Sequence, residues 1–189
     1  SALVDSASNR VQFRISDALD AEWVSDEYTI QVDATAPGSP SNLQVSPSEW
    51  TRTNRFTFTW TNPSEVSGVN QAYYKVGSAP SSGSDYTGRQ TGSNINQLSN
   101  LALPSGSSGS VRVYIWLEDV AGNDSYTSAA SVEARYDPTP PVTQRSTNPT
   151  YPAGGWYSST VTVNLTATDQ GSGVRETRWR RESGSWTAG

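Results

Sequence analysis

Short runs in which apolar and polar residues alternate recur along the whole chain, and Gly, Pro, Ser, Asn and Asp separate them. A period of two marks a strand with one buried face. No segment carries the 3.6-residue period and flanking caps of a helix. The clearest run is Phe56-Thr-Phe-Thr-Trp60, which predicts a strand over 54–60 with its aromatic rings inward and Thr57 and Thr59 outward. Around it the pattern predicts strands near 42–46 (Leu43 and Val45 inward), 70–77 (Ala72, Tyr74 and Val76 on one face), 94–102, 110–118 (Val111, Val113, Ile115 and Leu117 inward) and 126–136. The Ser/Gly-rich stretch 78–93 is expected to hold one short edge strand, and Ala121-Gly-Asn123 to turn the chain between the last two strands. Further on, Val161, Val163, Leu165 and Ala167 alternate with Thr162, Asn164, Thr166 and Thr168.

The pattern repeats. Val113-Tyr-Ile-Trp-Leu-Glu-Asp119 matches Val11-Gln-Phe-Arg-Ile-Ser-Asp17 at an offset of 102 residues. Asp137-Pro-Thr-Pro-Pro matches Asp33-Ala-Thr-Ala-Pro at 104, Ser172-Gly-Val matches Ser67-Gly-Val at 105, and Trp156 matches Trp50 at 106. A period near 105 residues is the size of one small β-sandwich. The chain is therefore read as all-β, as tandem immunoglobulin-like or fibronectin-like sandwiches with truncated repeats at both ends. Residues 1–37 are expected to be the last two strands of one repeat, 38–138 a complete repeat, and 139–189 the first half of a third. The two end pieces together would lack only a stretch like Tyr86–Leu103. The recurrence of Trp50 and Trp156 before the second strand reads as packing over the sandwich edge.

Two of these stretches carry a resemblance. Trp116-Leu-Glu-Asp-Val-Ala-Gly-Asn123 followed by Asp137-Pro-Thr-Pro-Pro resembles the tandem Ig-like repeats of bacterial surface and secreted proteins. Gly154-Gly-Trp-Tyr-Ser-Ser-Thr-Val-Thr-Val-Asn-Leu-Thr-Ala-Thr-Asp-Gln-Gly-Ser-Gly-Val174 is similar to a bacterial Ig-like family first named from an outer-membrane protein of spirochaetes. The resemblance implies a fold and an extracellular or cell-surface setting, where such repeats serve as spacers, stalks or adhesive modules. The first repeat departs from it: Asp17-Ala-Leu-Asp-Ala-Glu22 stands where Ala-Gly-Asn is expected, which puts its turn geometry in question.

Composition narrows the chemistry. The 189 residues contain no Cys and no His, which removes disulfides, thiol nucleophiles, His-based triads and imidazole metal ligands. A net charge of −5 is a poor match to nucleic acid or anionic lipid. No apolar run is long enough to span a membrane as a helix. No signal peptide is visible at the start of the sequence. Paired carboxylates are not gathered by any motif into a catalytic arrangement, so the reading is non-enzymatic.

Four groups of residues remain as candidates. In an Ig-like sandwich the loops holding Glu65 and Glu118, Asp119 and Asp124 lie at the pole where the chain enters, beside Asp33, with Asp137 and Asp169 in a similar relation one repeat later. Ca²⁺ takes oxygen ligands of this kind, so Asp33, Glu65, Glu118, Asp119 and Asp124 are candidate Ca²⁺ ligands. The other reading is that Asp119 and Asn123 close a turn and that Asp33 and Asp137 cap the linker. The denser group Asp17, Asp20, Glu22, Asp26 and Glu27 reads as a solvated loop. If Val113, Ile115 and Leu117 point inward, then Tyr114 and Trp116 point outward and meet Tyr73, an aromatic face that could stack on a sugar or form a protein contact. The competing reading is cross-strand pairing that shields the sheet. Arg175, Arg178, Arg180 and Arg181 around Trp179 read as a solvated strand face, and the single lysine, Lys75, lies on the outward face.

These readings converge on a structural segment: a stalk, a spacer, or an array that forms a filament or sheath. The alternative is an adhesin or carbohydrate-binding module using Tyr73, Tyr114 and Trp116. The expected partners are neighbouring repeats of the same or an adjacent chain, joined by strand complementation at open edges, or a glycan.

Overall fold

The computed structural model describes residues 2–150, 152 and 154–188. Apart from one turn of 3₁₀ helix at Tyr126–Ser128, all its regular structure is β. No helix among the described residues is long and apolar enough to cross a membrane.

The chain opens with β1 (Ser6–Val11), β2 (Arg14–Ser16), β3 (Glu22–Val24) and β4 (Tyr28–Val32), one long antiparallel hairpin in two ladders. β1 pairs with β4 (Arg10↔Thr29) and β2 with β3 (Ile15↔Trp23). Ser25 sits between the ladders: its hydroxyl accepts from the Phe13 N–H at 2.9 Å, and its own N–H donates to the Phe13 carbonyl at 2.8 Å. The departure noted at 17–22 is resolved by Asp17, whose Oδ1 accepts from the N–H groups of Leu19 and Ala21. Asp20 supplies the left-handed residue of that turn (φ 60°), a conformation that Asp and Asn tolerate better than most residues.

Next come β5 (Ser41–Ser46), β6 (Phe56–Thr61), β7 (Val69–Val76), β8 (Gly88–Thr91), β9 (Gln97–Leu101), β10 (Gly109–Asp119) and β11 (Ala130–Tyr136). They form a three-stranded sheet, β5-β6-β9, and a four-stranded sheet, β11-β10-β7-β8, both antiparallel. The inward rows meet in one core: Phe56, Phe58 and Trp60 from β6 and Leu98 and Leu101 from β9, against Ala72, Val113, Ile115, Leu117 and Ala134. Tyr74 and Val76 pack on this core with Ala72, so the alternation along β7 runs as expected. The edge strand anticipated within 78–93 is β8. Its Gly88 is required because a Cβ there would run into the Tyr74 ring, 2.6 Å from Cζ. Residues 126–128, expected to open the last strand, wind into the 3₁₀ turn instead, where Ser128 donates to the Ser125 carbonyl through both its N–H and its hydroxyl.

The final part holds β12 (Val142–Asn148), β13 (Thr162–Thr168), β14 (Arg178–Trp179) and β15 (Thr187–Ala188), paired β12–β13 and β14–β15. Val163 and Leu165 alternate on β13 as expected but remain exposed. Trp156 does not pack over a sandwich edge. It is 89% exposed, and the described residues around it, 154–161, form no strand.

Candidate functional site

The chemistry gathers at the two joints where linkers enter the next set of strands. At the first, Asp33 Oδ1 accepts from the N–H of Thr35 at 3.3 Å and Oδ2 from the N–H of Ser67 at 3.1 Å. At the second, Asp137 Oδ1 accepts from the N–H of Thr139 at 3.1 Å and Oδ2 from the N–H of Ser172 at 2.8 Å. Each aspartate thus caps its own Asp-x-Thr turn with one oxygen and reaches about 35 residues ahead with the other. The distal partner is in both cases the serine of a Ser-Gly-Val sequence. A carboxylate suits this role because it offers two acceptor oxygens and several lone pairs to converging N–H groups.

The second joint is the tighter one. Asp137 is buried, and the hydroxyls of Ser172 (2.7 Å to Oδ2) and Thr139 (2.9 Å to Oδ1) add two further bonds. The Ser172 N–H, followed by these two hydroxyls, holds the Asp137 carboxyl well below the usual carboxylate range. Its own N–H donates to the Thr51 carbonyl at 2.9 Å, tying the linker to the preceding sandwich. Asp169 does not join this cluster as a ligand; its Oδ1 caps the turn at Gly171 and Gly173.

The first joint is more acidic. Asp33, Glu65 and Asp119 bring one carboxylate oxygen each to within 4.8 Å of one another, and none of the ion pairs among the described residues involves them. Asp119 is buried and closes the β10–β11 turn by accepting from the N–H and Nδ2 of Asn123, both at 2.8 Å. Asn123 Nδ2 also donates to the Asp33 carbonyl at 3.1 Å, so the turn grips the linker directly. The Ser67 side chain, first of all, holds Asp33 below the usual carboxylate range. Yet the buried Ser67 hydroxyl makes no hydrogen bond of good geometry, unlike that of Ser172. Burial, followed by the like charges of Asp33 and Asp119, pushes Glu65 up. A cavity of about 260 Å³ opens beside these groups, lined in part by Val32, Asp33, Val66 and Ser67. Ca²⁺ takes roughly six to eight oxygen ligands, and these three carboxylates would supply part of such a set.

Of the five acidic residues singled out in the sequence, the fold therefore unites three. Glu118 faces the other side of its sheet and accepts from the Tyr73 hydroxyl at 2.5 Å and from Gln71 Nε2 at 3.1 Å. Asp124 accepts from the Trp116 indole N–H at 3.2 Å. The turn-closing role of Asp119 and Asn123 and the linker-capping role of Asp33 and Asp137 are both present in the geometry.

The aromatic face corrects an expectation. Trp116 lies on the outer side of the four-stranded sheet but has 0% of its surface exposed, and Tyr73 has 7%. The rings stack at 5.2 Å with planes 10° apart, and Tyr86 leans on Tyr73 at 5.1 Å. The cause is the Ser/Gly-rich segment between β7 and β8, which folds back over this face. It is anchored by an ion pair between Lys75 and Asp85 and brings Gly83 beside the Asp124 carboxylate. Tyr114 alone of the three stays partly open. A fully covered indole offers no platform to a sugar ring.

The basic cluster is partly paired, with Arg178 bonded to Glu176 at 2.7 Å and Arg180 over the Trp186 ring at 4.6 Å. Ser67, Ser172, Thr35 and Thr139 were not recognised as functional residues from sequence. The signal was nonetheless present, because Asp-x-Thr and Ser-Gly-Val recur with nearly the same separation. No protein-family model matches the chain, and no curated protein matches its sequence.

Proposed function

We propose that this chain is a non-enzymatic structural segment of tandem Ig-like β-sandwich repeats from a bacterial cell-surface or secreted protein, and that its aspartate-capped joints set the angle between successive repeats. The observation that carries this reading is the duplicated clasp: Asp33 with Thr35 and Ser67, and Asp137 with Thr139 and Ser172. A linker free to swing would have no use for a carboxylate bonded both to its own turn and to the loop that follows. Repetition of the same two backbone bonds about 104 residues apart fits a device that copies one joint along an array. The prolines of both linkers support it, since Pro fixes φ and favours extended chain.

The alternative of a carbohydrate-binding face at Tyr73, Tyr114 and Trp116 draws no support from rings that are stacked on each other and covered.

Small-angle scattering on the chain and on Asp33→Ala and Asp137→Ala tests the reading. The expected result is a broader distribution of interatomic distances in each variant with an unchanged central sandwich. Identical scattering curves for all three proteins would overturn it.

A further inference from the structure

One hydroxyl separates the two joints. At the second, the Ser172 hydroxyl donates to Asp137 Oδ2 at 2.7 Å. At the first, the Ser67 hydroxyl oxygen is shut off from solvent, and among the described residues no group forms a hydrogen bond with it. The Ser67 side chain is still the first influence on the Asp33 carboxyl, so its hydroxyl points at that group. A buried hydroxyl without a partner is costly, and native folds satisfy nearly all such groups.

Negative charge surrounds this oxygen. Asp33 follows β4, Glu65 lies in the loop between β6 and β7, and Asp119 ends β10. One oxygen from each comes within 4.8 Å of the other two. Donors take up only part of their capacity. The Val66 N–H bonds Glu65 Oε1 at 2.7 Å, and Asn123 bonds both oxygens of Asp119 at 2.8 Å. A carboxylate offers about four lone-pair sites, so each keeps acceptors that these bonds leave over. The ion pairs among the described residues all lie elsewhere. A divalent cation that prefers oxygen answers both features at once: it offsets three gathered charges and takes a lone pair of the hydroxyl.

The donor set selects among cations. The chain has no His and no Cys, the ligands that favour zinc and copper. The four groups come from three separate segments and are oriented by their own hydrogen bonds. Ca²⁺ accepts such irregular geometry, whereas Mg²⁺ demands a near-ideal octahedron. A cavity of about 260 Å³, lined in part by Asp33 and Ser67, admits the waters that would complete the shell.

We infer that Asp33, Glu65 and Asp119, together with the Ser67 hydroxyl, bind one Ca²⁺ ion at the first joint. All four groups belong to the linker and the central sandwich, so the site is complete within one copy and calls on no strand of a neighbouring repeat. The consequence rests on the joint reading proposed above: the ion ties Asp33 of the linker to the β6–β7 loop and to the β10–β11 turn, and stiffens that joint further. The binding itself does not rest on it, so either can fail alone.

Isothermal titration calorimetry with CaCl₂ on the full chain, freed of metal by chelator and dialysis, tests the inference. The expected result is one ion per chain with a Kd of about 10⁻⁴–10⁻³ M, the range of extracellular Ca²⁺ modules, and binding of MgCl₂ weaker by about tenfold or more. Glu65→Gln keeps the size of the side chain and both bonds of the Asp33 clasp, and is expected to weaken Ca²⁺ binding by about tenfold or more, since affinity follows the number of charged ligands. Ser67→Ala removes the hydroxyl but keeps the backbone N–H to Asp33, and is expected to weaken it by a smaller factor. Asp20→Asn, in the other acidic loop, is expected to bind like the parent. So is Asp137→Ala, whose scattering change tests the joint reading instead. A rise in the melting temperature with Ca²⁺, present in the parent and absent in Glu65→Gln, is the second expected readout. No heat and no thermal shift at millimolar Ca²⁺ overturn the inference. So does a Glu65→Gln variant that binds like the parent, or an Asp20→Asn variant that loses binding.

Discussion

Asp137 Oδ2 accepts two hydrogen bonds from Ser172, one from the backbone N–H at 2.8 Å and one from the hydroxyl at 2.7 Å. Thirty-five residues separate them, so the pair fixes the course of the chain between β11 and β14. Asp33 and Ser67 repeat the backbone half of this contact one joint earlier.

The clasp has no room to spare. A Cβ at Gly171 would stand 2.5–2.8 Å from the Asp137 carboxylate atoms, and that carboxylate is held from four directions and cannot swing away. Gly171→Ala is therefore expected to reproduce the scattering change of Asp137→Ala and to remove hydrogen-exchange protection at the Ser172 amide. Gly154→Ala, with open space around the added Cβ, is the matched control and is expected to change neither.

Trp116 is a structural ring. Its burial, its stacking on Tyr73 and its bond to Asp124 predict that Trp116→Ala costs about 3–5 kcal/mol in urea unfolding, the range for deleting a large buried aromatic. Asp124→Ala is expected to cost less, about 1–3 kcal/mol, because it strands the buried indole N–H without an acceptor but keeps the packing of the ring. A cost for Trp116→Ala below about 0.5 kcal/mol, the scale of surface substitutions, would contradict this assignment.

The acidic triad predicts an unusual sign. Glu65 titrates above its ordinary value of 4.5 in the folded protein, so its charged form is disfavoured by folding and lowers stability at neutral pH. As pH falls through the raised value the folded protein takes up the proton first, and that loss is relieved. Glu65→Gln is expected to be more stable than the parent at neutral pH with chelator present. The gap should close as pH drops below 4.5. Thermal unfolding at several pH values reads this directly. A Ca²⁺-dependent reversal of the order would identify the triad as a cation site, because the variant lacks one of its three carboxylates.

Lys75 and Asp85 give the opposite sign. The Lys75 ammonium bonded to Asp85 lowers that carboxyl from 3.8 to about 2, so its contribution is complete above 3.8 and fades as pH falls toward 2. An NMR titration of the Asp85 carboxyl should have its midpoint near 2. In Lys75→Met the midpoint is expected to move toward 3.8, and the segment between β7 and β8 should loosen over Trp116.

Much of the central sandwich was legible in the residue pattern. Phe56, Phe58 and Trp60 alternate with Thr57 and Thr59 because one face of β6 is buried and the other is not, and that difference is written in side-chain polarity. The same logic placed Val113, Ile115 and Leu117 in the core and Trp116 on the outer face. It failed at the next step. Alternation reports which side of a sheet a residue takes, but not whether a distant loop then covers that side. The covering segment, Ser/Gly-rich and without periodicity, carries no pattern that announces where it lands.

The sequence by itself determined most strands of the central sandwich, their inward rows and the spacing of the two joints, because each depends on local polarity or on a repeated string of residues. Only the tertiary structure decided which carboxylates meet. Glu118 and Asp119 are neighbours in sequence and point to opposite faces, so Asp119 joins Asp33 and Glu65 while Glu118 joins Tyr73 and Gln71. That separation comes from the period-two geometry of a strand combined with the register shift between Glu118 and Asp119, and from loops that close only when the two sheets pack on their shared core.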